Sequence, residues 1–245
     1  MSEITCVLLT TPDTGLKIGE EIRLTPEESH HVSRVRRMRM GDEVWAVTGT
    51  GEACRCLLRD ADPVQARLEI LEIVPQWGEP EMNVTLYQGL IRSNRMEQIV
   101  EQGTAIGMRN MVPLITERVE RRGLKLDRLR RITGETSKQC CRGWIPLVEE
   151  PLQWNDFLER KKEKTLLVAD AQADEGLANF ILSERMMLHD DIGLVIGPEG
   201  GLTESELNTI TDQGGIRVHL GRRRLRSESA AAAALTLLLI GTEYR

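Results

Sequence analysis

From residue 84 onward, short apolar runs alternate with segments of helical character, and this alternation constrains the fold more than any other feature of the chain. The predicted strands cover residues 84–88, 111–115, 145–148, 165–169, 192–196 and 216–220. The predicted helices cover residues 95–106, 126–141, 154–162 and 229–240. Alternation of this kind is typical of an α/β domain built on a mainly parallel sheet.

The first 75 residues have a different pattern, rich in strands and with one helical interruption. Thr25-Pro26-Glu27-Glu28 is typical of a helix start, with a hydroxyl cap, proline at the first position and acids in the first turn. Predicted strands at 21–24, 43–47, 53–58 and 66–74, joined by glycine turns, indicate a small β-barrel. Residues 75–81 are typical of a linker, so we expect two domains, 1–75 and 82–245.

Two glycine-bearing turns each follow a predicted strand of the second domain. The first is Gly197-Pro198-Glu199-Gly200-Gly201, and the second begins at Leu220-Gly221 and continues through an arginine run into Ser227 and Glu228. Glycine lets a ligand approach the backbone closely, and open α/β sheets bind ligands outside the carboxyl ends of their strands. The two turns therefore predict one shared pocket for a polar or anionic ligand.

The residues after the first turn predict that the turn has a fixed conformation. Thr203 and Glu206 have the spacing of a capping box for a following helix. The loop lacks the lysine and the hydroxyl residue of a phosphate-binding P-loop. Its backbone groups suit a neutral heteroaromatic ring such as adenine better than a pyrophosphate.

The charge is −6 overall, but basic residues are concentrated in three segments. Residues 34–39 contain four arginines, residues 118–131 contain seven basic residues, and residues 222–226 contain four arginines. Separated basic clusters in a mildly acidic chain indicate a partner with phosphate groups. Because only 3% of residues are aromatic, we expect contacts with phosphate and RNA shape rather than base stacking.

Several other classes of protein are disfavoured. The apolar run 230–240 is shorter than the roughly 20 residues that cross a bilayer, and no secretory signal is visible, so we expect a cytoplasmic protein without membrane contact. The five cysteines are a poor framework for disulfides, since their number is odd and Cys140 and Cys141 are adjacent. Cys54 and Cys56 lack a second ligand pair for a metal and are predicted to be buried thiols. Gly49 and Gly51 resemble a dinucleotide-binding turn, but Cys54 replaces the third glycine, so a hairpin is favoured over a Rossmann-type enzyme.

The two C-terminal turns, GPEGG at 197–201 and LGRRRLRSESAA at 220–231, resemble the signature of the SPOUT methyltransferases. Among the SPOUT methyltransferases, the chain is similar to the family that methylates N3 of a uridine in 16S ribosomal RNA. His30-His31-Val32 with the following arginines, Arg95-Met96-Glu97, and the segment 135–142 resemble its other motifs. Ser227 and Ser229 stand where that family has threonines, and they keep the hydroxyl group.

The resemblance implies an α/β fold, with a SPOUT-type trefoil-knotted parallel-sheet domain preceded by a small PUA-like β-barrel domain that binds RNA. It also implies S-adenosyl-L-methionine as cofactor, a homodimer, and 16S rRNA as substrate, within the assembled small ribosomal subunit. The residues that it assigns to the cofactor cleft are Ala169, Ile196, Gly197, Gly200, Gly201, Leu220, Gly221 and Leu225.

Catalytic and RNA-binding residues follow from the same resemblance and from the chemistry. The anion of uracil N3 is the better nucleophile, and the planar charged guanidinium of Arg226 would stabilise it. Glu199 or Glu228 would accept the proton, or would orient Arg226. The residues expected to contact RNA are Arg34, Arg36, Arg37 and Arg39 in the first domain, and Arg92 and Arg95 in the second.

Two alternatives remain at this point. One is a SPOUT enzyme that modifies another RNA, such as tRNA or a ribose 2′-hydroxyl. The other is a non-catalytic RNA-binding or ribosome-assembly protein that keeps the fold and would bind no cofactor.

Overall fold

A computed structural model describes residues 5–9, 15–119, 123–183 and 191–241. The chain forms two compact units. The first unit comprises residues up to 79 together with 134–145, and the second comprises 80–133 and the residues from 146 onward. The return of residues 134–145 to the first unit has no counterpart in the periodicity of the sequence.

The first unit contains a five-stranded sheet. Its strands are β1 (Cys6–Leu8), β2 (Glu21–Arg23), β3 (Glu43–Val47), β4 (Glu52–Asp60) and β5 (Arg67–Pro75). They lie in the order β1-β3-β4-β5-β2, with β1 parallel to β3 and the other pairs antiparallel. Gly49 and Gly51, both with positive φ, lie between β3 and β4, which confirms the predicted hairpin.

The helical interruption of this unit begins as predicted. Helix α1 (Pro26–His30) has Thr25 as its cap, and the Thr25 hydroxyl accepts a hydrogen bond from the Glu28 backbone N–H. The helix continues as a π-helical stretch, His31–Val35. Arg37, two residues beyond this stretch, has a φ of 54°, so the helix cannot continue through it.

The second unit contains the predicted parallel sheet. Its strands are β6 (Asn83–Gly89), β7 (Asn110–Ile115), β8 (Leu147–Val148), β9 (Leu152–Gln153), β10 (Thr165–Ala169), β11 (Asp191–Ile196) and β12 (Ile216–Val218). The order is β12-β10-β11-β6-β7-β8, β9 also pairs with β7, and these pairs are all parallel.

The helices largely follow the predicted positions. They are α2 (Ser93–Ile106), α3 (Leu126–Gln139), α4 (Trp154–Arg160), α5 (Leu177–Leu182), α6 (Glu204–Asp212) and α7 (Ser227–Leu239). Helix α3 ends before the predicted residue 141 because Cys141 has a φ of 53°, which a right-handed helix cannot contain. Helix α5 was not predicted, since six residues carry little periodicity.

Helix α7 brings small side chains into the core of the second unit. Ala231 and Ala234 are buried, and α7 packs against α2 and β6. The helix begins at Ser227, two residues before the predicted start, so Glu228 lies in its first turn. Within the described part of the chain, no helix has the length and apolar character needed to cross a membrane.

Candidate active site

The carboxyl ends of β10, β11 and β12 border a cavity of about 860 Å³ in the second unit. Seven of the eight residues predicted for the cofactor cleft line it: Ala169, Ile196, Gly197, Gly201, Leu220, Gly221 and Leu225. The eighth, Gly200, belongs to the same loop, and its carbonyl accepts a hydrogen bond of 2.9 Å from Arg118 Nη1. The structure thus brings the two glycine turns together at one cavity.

The first turn is held at both ends. A Cβ on Gly89 would lie 2.6 Å from the Pro198 nitrogen, so β6 can approach the turn this closely only with glycine at its end. Behind the turn, Thr203 and Glu206 form the predicted capping box of α6. The same Glu206 accepts a hydrogen bond from the Glu117 backbone N–H, at 2.9 Å.

The second turn has a left-handed residue at its centre. Gly221 has a φ of 107°, and no heavy atom lies within 4 Å of the position that a Cβ would take. Its N–H donates a hydrogen bond of 3.1 Å to Nδ1 of His219. The following residues 222–226 are exposed.

A third wall comes from the residues after β10. Asp170 lines the cavity, its backbone N–H donates to the Val218 carbonyl, and its carboxylate accepts two hydrogen bonds from Arg217. These contacts raise the pKa of the Arg217 guanidinium above its usual value. Sequence reasoning assigned Ala169 to the cofactor cleft but did not single out Asp170, although a polar residue directly after a strand is a signal for a binding site.

A hydrogen-bond chain joins β6, the first turn and α7. The Ser227 hydroxyl donates to the Gly197 carbonyl at 2.7 Å and accepts from Gln88 Nε2 at 2.8 Å. Gln88 is completely buried and also donates to the Gly89 carbonyl. Sequence reasoning missed Gln88, because a glutamine within a strand carries no signal for this role.

Arg95 lies between the two glutamates that were predicted as proton acceptors. Its Nη1 is 3.6 Å from Glu199 Oε1, and its Nε is 3.6 Å from Glu228 Oε1. Glu199 lines the cavity, whereas Glu228 is buried in the first turn of α7, with Oε2 lacking a hydrogen-bond partner. Arg226, the residue capping α7, is exposed and also lines the cavity.

The residues predicted to contact RNA occupy several environments. Arg34, Arg37 and Arg39 are exposed in the first unit, while Arg36 is half-buried and donates a hydrogen bond to the Thr5 hydroxyl. Arg92 is exposed at the start of α2. Arg95 is in the cavity.

The cavity fits an S-adenosylmethionine-sized ligand. Pockets for ligands of that size have volumes of about 300–1,000 Å³, an apolar lining and a few directed polar groups. Here Ile196, Leu220 and Leu225 supply apolar surface, while Asp170 and Glu199 supply polar groups. At Gly201 and Gly221, no neighbouring atom fills the space of a Cβ, so a ligand can reach the backbone.

Comparison with known proteins identifies the family. Residues 78–239 match the family described as RNA methyltransferase domain, and residues 24–71 match the RNA methyltransferase PUA domain. A ribosomal RNA small subunit methyltransferase E from Synechocystis is 31% identical over 222 residues, which cover 89% of this chain and 72% of that protein. The chain belongs to this RNA methyltransferase family.

Other members extend the match to nearly the whole chain. The ribosomal RNA small subunit methyltransferase E of Mycobacterium tuberculosis is 30% identical over 239 residues, 92% of this chain and 87% of that one. The Neisseria gonorrhoeae enzyme of the same name, solved with S-adenosyl methionine, superposes with a TM-score of 0.82 at 26% identity and covers 96% of both chains. The predicted fold class, a SPOUT-type parallel-sheet domain preceded by a PUA-like domain, is confirmed.

Proposed function

We propose that the protein is an S-adenosyl-L-methionine-dependent methyltransferase that methylates N3 of a uridine in 16S rRNA of the small ribosomal subunit. The observation that carries the proposal is the cavity where both glycine turns meet Arg226 and Glu199. The family membership supports the reaction class, and the names of the relatives support ribosomal RNA as the substrate.

The cofactor would be held by the glycine turns and the third wall. Backbone groups of Gly201 and Gly221 are open to a ligand, and Ile196 and Leu225 offer apolar surface to an adenine ring. When bound, S-adenosylmethionine supplies an electrophilic methyl group carried on a sulfonium. The residues around the cavity would orient the target base toward that group, and positioning of this kind lowers the barrier to transfer.

Arg226 and a glutamate would act on the base itself. Uracil N3 must lose a proton before its electron pair is free to form the new bond, and the resulting charge spreads to O2 and O4. Arg226 would stabilise that charge, because a guanidinium stays protonated and is planar. Glu199 or Glu228 would accept the proton. Arg226 and Glu199 both line the cavity, and Glu228 lies in the first turn of α7, two residues after Arg226.

The first unit would bind the RNA. We propose a PUA-like RNA-binding domain at 1–75 and a methyltransferase domain at 82–245. Arg34, Arg37 and Arg39 are exposed, which suits contact with phosphate.

We further propose a homodimer that acts on the assembled small subunit in the cytoplasm. Leu225, Leu237 and Ile240 support the dimer, since they are large exposed apolar side chains that a second copy could cover.

A direct test combines cofactor binding with mapping of the product. Calorimetry should detect binding of S-adenosylmethionine by the purified protein. Small subunits from a gene-deletion strain should gain one methyl group when they are incubated with protein and cofactor. Mass spectrometry of rRNA fragments should place the group on a uridine base. A methyl group on tRNA or on a ribose would contradict the proposed substrate, and absence of cofactor binding would contradict the proposed reaction.

The Arg226→Ala variant tests the proposed anion-stabilising role. Removing a preorganised charge aimed at a developing anion costs roughly 100- to 1,000-fold in turnover. We therefore expect methylation to fall by that factor while the Kd for S-adenosylmethionine stays within about threefold, because cofactor contacts come from the glycine turns. Gln213→Ala, at the exposed end of α6, serves as the control. Near-normal turnover of Arg226→Ala would refute the assignment.

A further inference from the structure

The arginine between the two glutamates occupies an electrostatically unfavourable place in its helix. Arg95 lies in the first turn of α2, where the helix dipole and the unpaired N–H groups favour negative charge. No acidic residue shares that turn. The compensation comes instead from Glu199 and Glu228, each 3.6 Å from one nitrogen of the guanidinium.

The two glutamates differ in their access to the cavity. The Glu228 side chain is 10% exposed, Glu228 does not line the cavity, and its Oε2 is buried without a hydrogen-bond partner. The Glu199 side chain is 39% exposed and lines the cavity. A buried carboxylate needs a counter-charge, so Glu228 is suited to fix the guanidinium, whereas Glu199 can meet a ligand.

The ion pairs also bear on the phosphate contact that the sequence suggested for Arg95. Two carboxylates engage the charge of the Arg95 guanidinium within the protein, so less of that charge is available to a phosphate. An arginine held by two separate chain segments has, by contrast, a restricted orientation. The planar guanidinium presents donors along fixed directions, so holding one edge with Glu228 directs another edge toward Glu199.

We infer that Arg95 is a positioning residue, anchored by Glu228, that holds the Glu199 carboxylate in the cavity as the acceptor of the uracil N3 proton. This inference rests on the proposed methyl transfer. The proton passes from N3 to Glu199, which becomes a neutral carboxylic acid. The electron pair left on N3 forms the bond to the methyl carbon, and the methyl–sulfur bond breaks with its pair remaining on sulfur. One negative and one positive charge are thereby neutralised.

Separate kcat and KM values distinguish positioning from RNA binding. With small subunits from the deletion strain, Arg95→Ala should lower kcat by roughly 10- to 100-fold, the range expected when a proton acceptor loses its alignment. The KM for subunits and the salt dependence of subunit binding should stay as in the wild type. Arg95→Lys should recover only part of kcat, because an ammonium cannot hold two carboxylates in a fixed plane.

The glutamate variants assign the two carboxylates separately. Glu199→Gln should lower kcat at least as much as Arg95→Ala, and combining the two should add little further loss, as expected for residues acting as a unit. Glu228→Gln should have a smaller effect on kcat. In each variant, calorimetry should give an S-adenosylmethionine Kd within about threefold of wild type. Glu101→Gln, on an exposed position of the same helix, is the matched control.

The outcomes separate this inference from the proposed function. If the wild type methylates no RNA, the proposed function fails. If the wild type is active and Arg95→Ala raises KM and weakens the salt dependence at unchanged kcat, Arg95 contacts RNA and the positioning role is refuted. If Glu228→Gln abolishes turnover while Glu199→Gln does not, the roles of the two carboxylates are reversed and the inference is wrong.

Discussion

Ser227 is a small residue that joins three elements of the second unit. Its hydroxyl donates to the Gly197 carbonyl of the first turn and accepts from Gln88 at the end of β6, while its own backbone opens α7. The Gln88 hydrogen bond is buried and the Gly197 hydrogen bond is partly buried, and a polar group that loses its partner at such a place is left uncompensated. One side chain therefore fixes the first turn relative to the helix that carries Arg226.

The Ser227→Ala variant should bind S-adenosylmethionine more weakly. The change removes the hydroxyl donor of the partly buried Gly197 carbonyl and one of the two hydrogen bonds that Gln88 donates. We expect a cost of about 1–2 kcal/mol, which corresponds to roughly 5- to 30-fold in Kd if the turn must be ordered for binding. Ser227→Thr retains the hydroxyl and should bind nearly as tightly as wild type. Calorimetry provides the measurement, with Ser229→Ala, at an exposed position two residues later, as the control. Equal affinities for all variants would contradict the role of Ser227.

Cys54 and Cys56 are completely buried thiols of the first unit. Burial raises the pKa of Cys54 to about 11 and that of Cys56 to about 12. Since the thiolate is the reactive form, neither should react measurably with Ellman's reagent at pH 8 in the folded protein. Both should react after denaturation in guanidinium. Mass mapping of the labelled sites provides the check, and rapid labelling of either cysteine in the native protein would contradict the buried arrangement.

At the level of elements, the segment after α3 is anchored by a buried ion pair. Arg142 and Glu79 are each only 3% exposed, and the guanidinium donates two hydrogen bonds to the carboxylate. Glu79 also accepts a hydrogen bond from the Trp144 backbone N–H. Both residues belong to the first unit, so this pair joins the segment 134–145 to the residues at the end of the N-terminal part.

The Arg142→Ala variant should destabilise the first unit strongly. Removing one partner of a buried ion pair leaves an uncompensated charge and costs about 3–5 kcal/mol. The exposed pair Arg67–Glu21 lies in the same unit, and Arg67→Ala should cost less than about 1 kcal/mol. Urea denaturation followed by tryptophan fluorescence reports on this unit through Trp45, Trp77 and Trp144. If both variants lost a similar free energy of unfolding, burial would not determine how much an ion pair contributes to stability.

At the level of the whole molecule, the net charge of −6 hides an uneven distribution. Arg34, Arg37 and Arg39 are exposed in the first unit, while the cavity and its carboxylates belong to the second. In RNA recognition, phosphate contacts supply affinity and register, and contacts around the target base supply the chemistry. The two units thus divide the proposed work between RNA binding and methyl transfer.

Replacing Arg34, Arg37 and Arg39 together with alanine should weaken binding of small subunits and flatten its salt dependence. Each phosphate contact contributes about 0.7–0.9 to the slope of log K against log salt, so the slope should fall by roughly 2. The triple variant Arg160→Ala, Lys161→Ala, Lys162→Ala removes the same charge from the end of α4 and serves as the control. Equal slopes for the arginine variant and the wild type would exclude this surface from RNA binding.

The elements that the sequence predicted well are those whose signals are local. The bounds of β3 and β10 match the prediction residue for residue, because each is an apolar run bounded by polar or turn residues. The starts of α1 and α6 also match, since cap chemistry depends on residues within one helical turn. Strands β1 and β9 and helix α5 were missed because so few residues carry no measurable period.

The sequence by itself determined the α/β class, the glycine turns and the family resemblance, because strand and helix periodicity and ligand-binding turns are properties of neighbouring residues. Only the tertiary structure decided which side chains meet. Gln88 lies 139 positions before Ser227, and Arg95 pairs with glutamates from two distant segments. Such contacts depend on the crossing of chain segments in the folded sheet, and no local period encodes them. The cavity and most of the residues that line it were thus predictable, while the arrangement of Arg95, Glu199 and Glu228 was not.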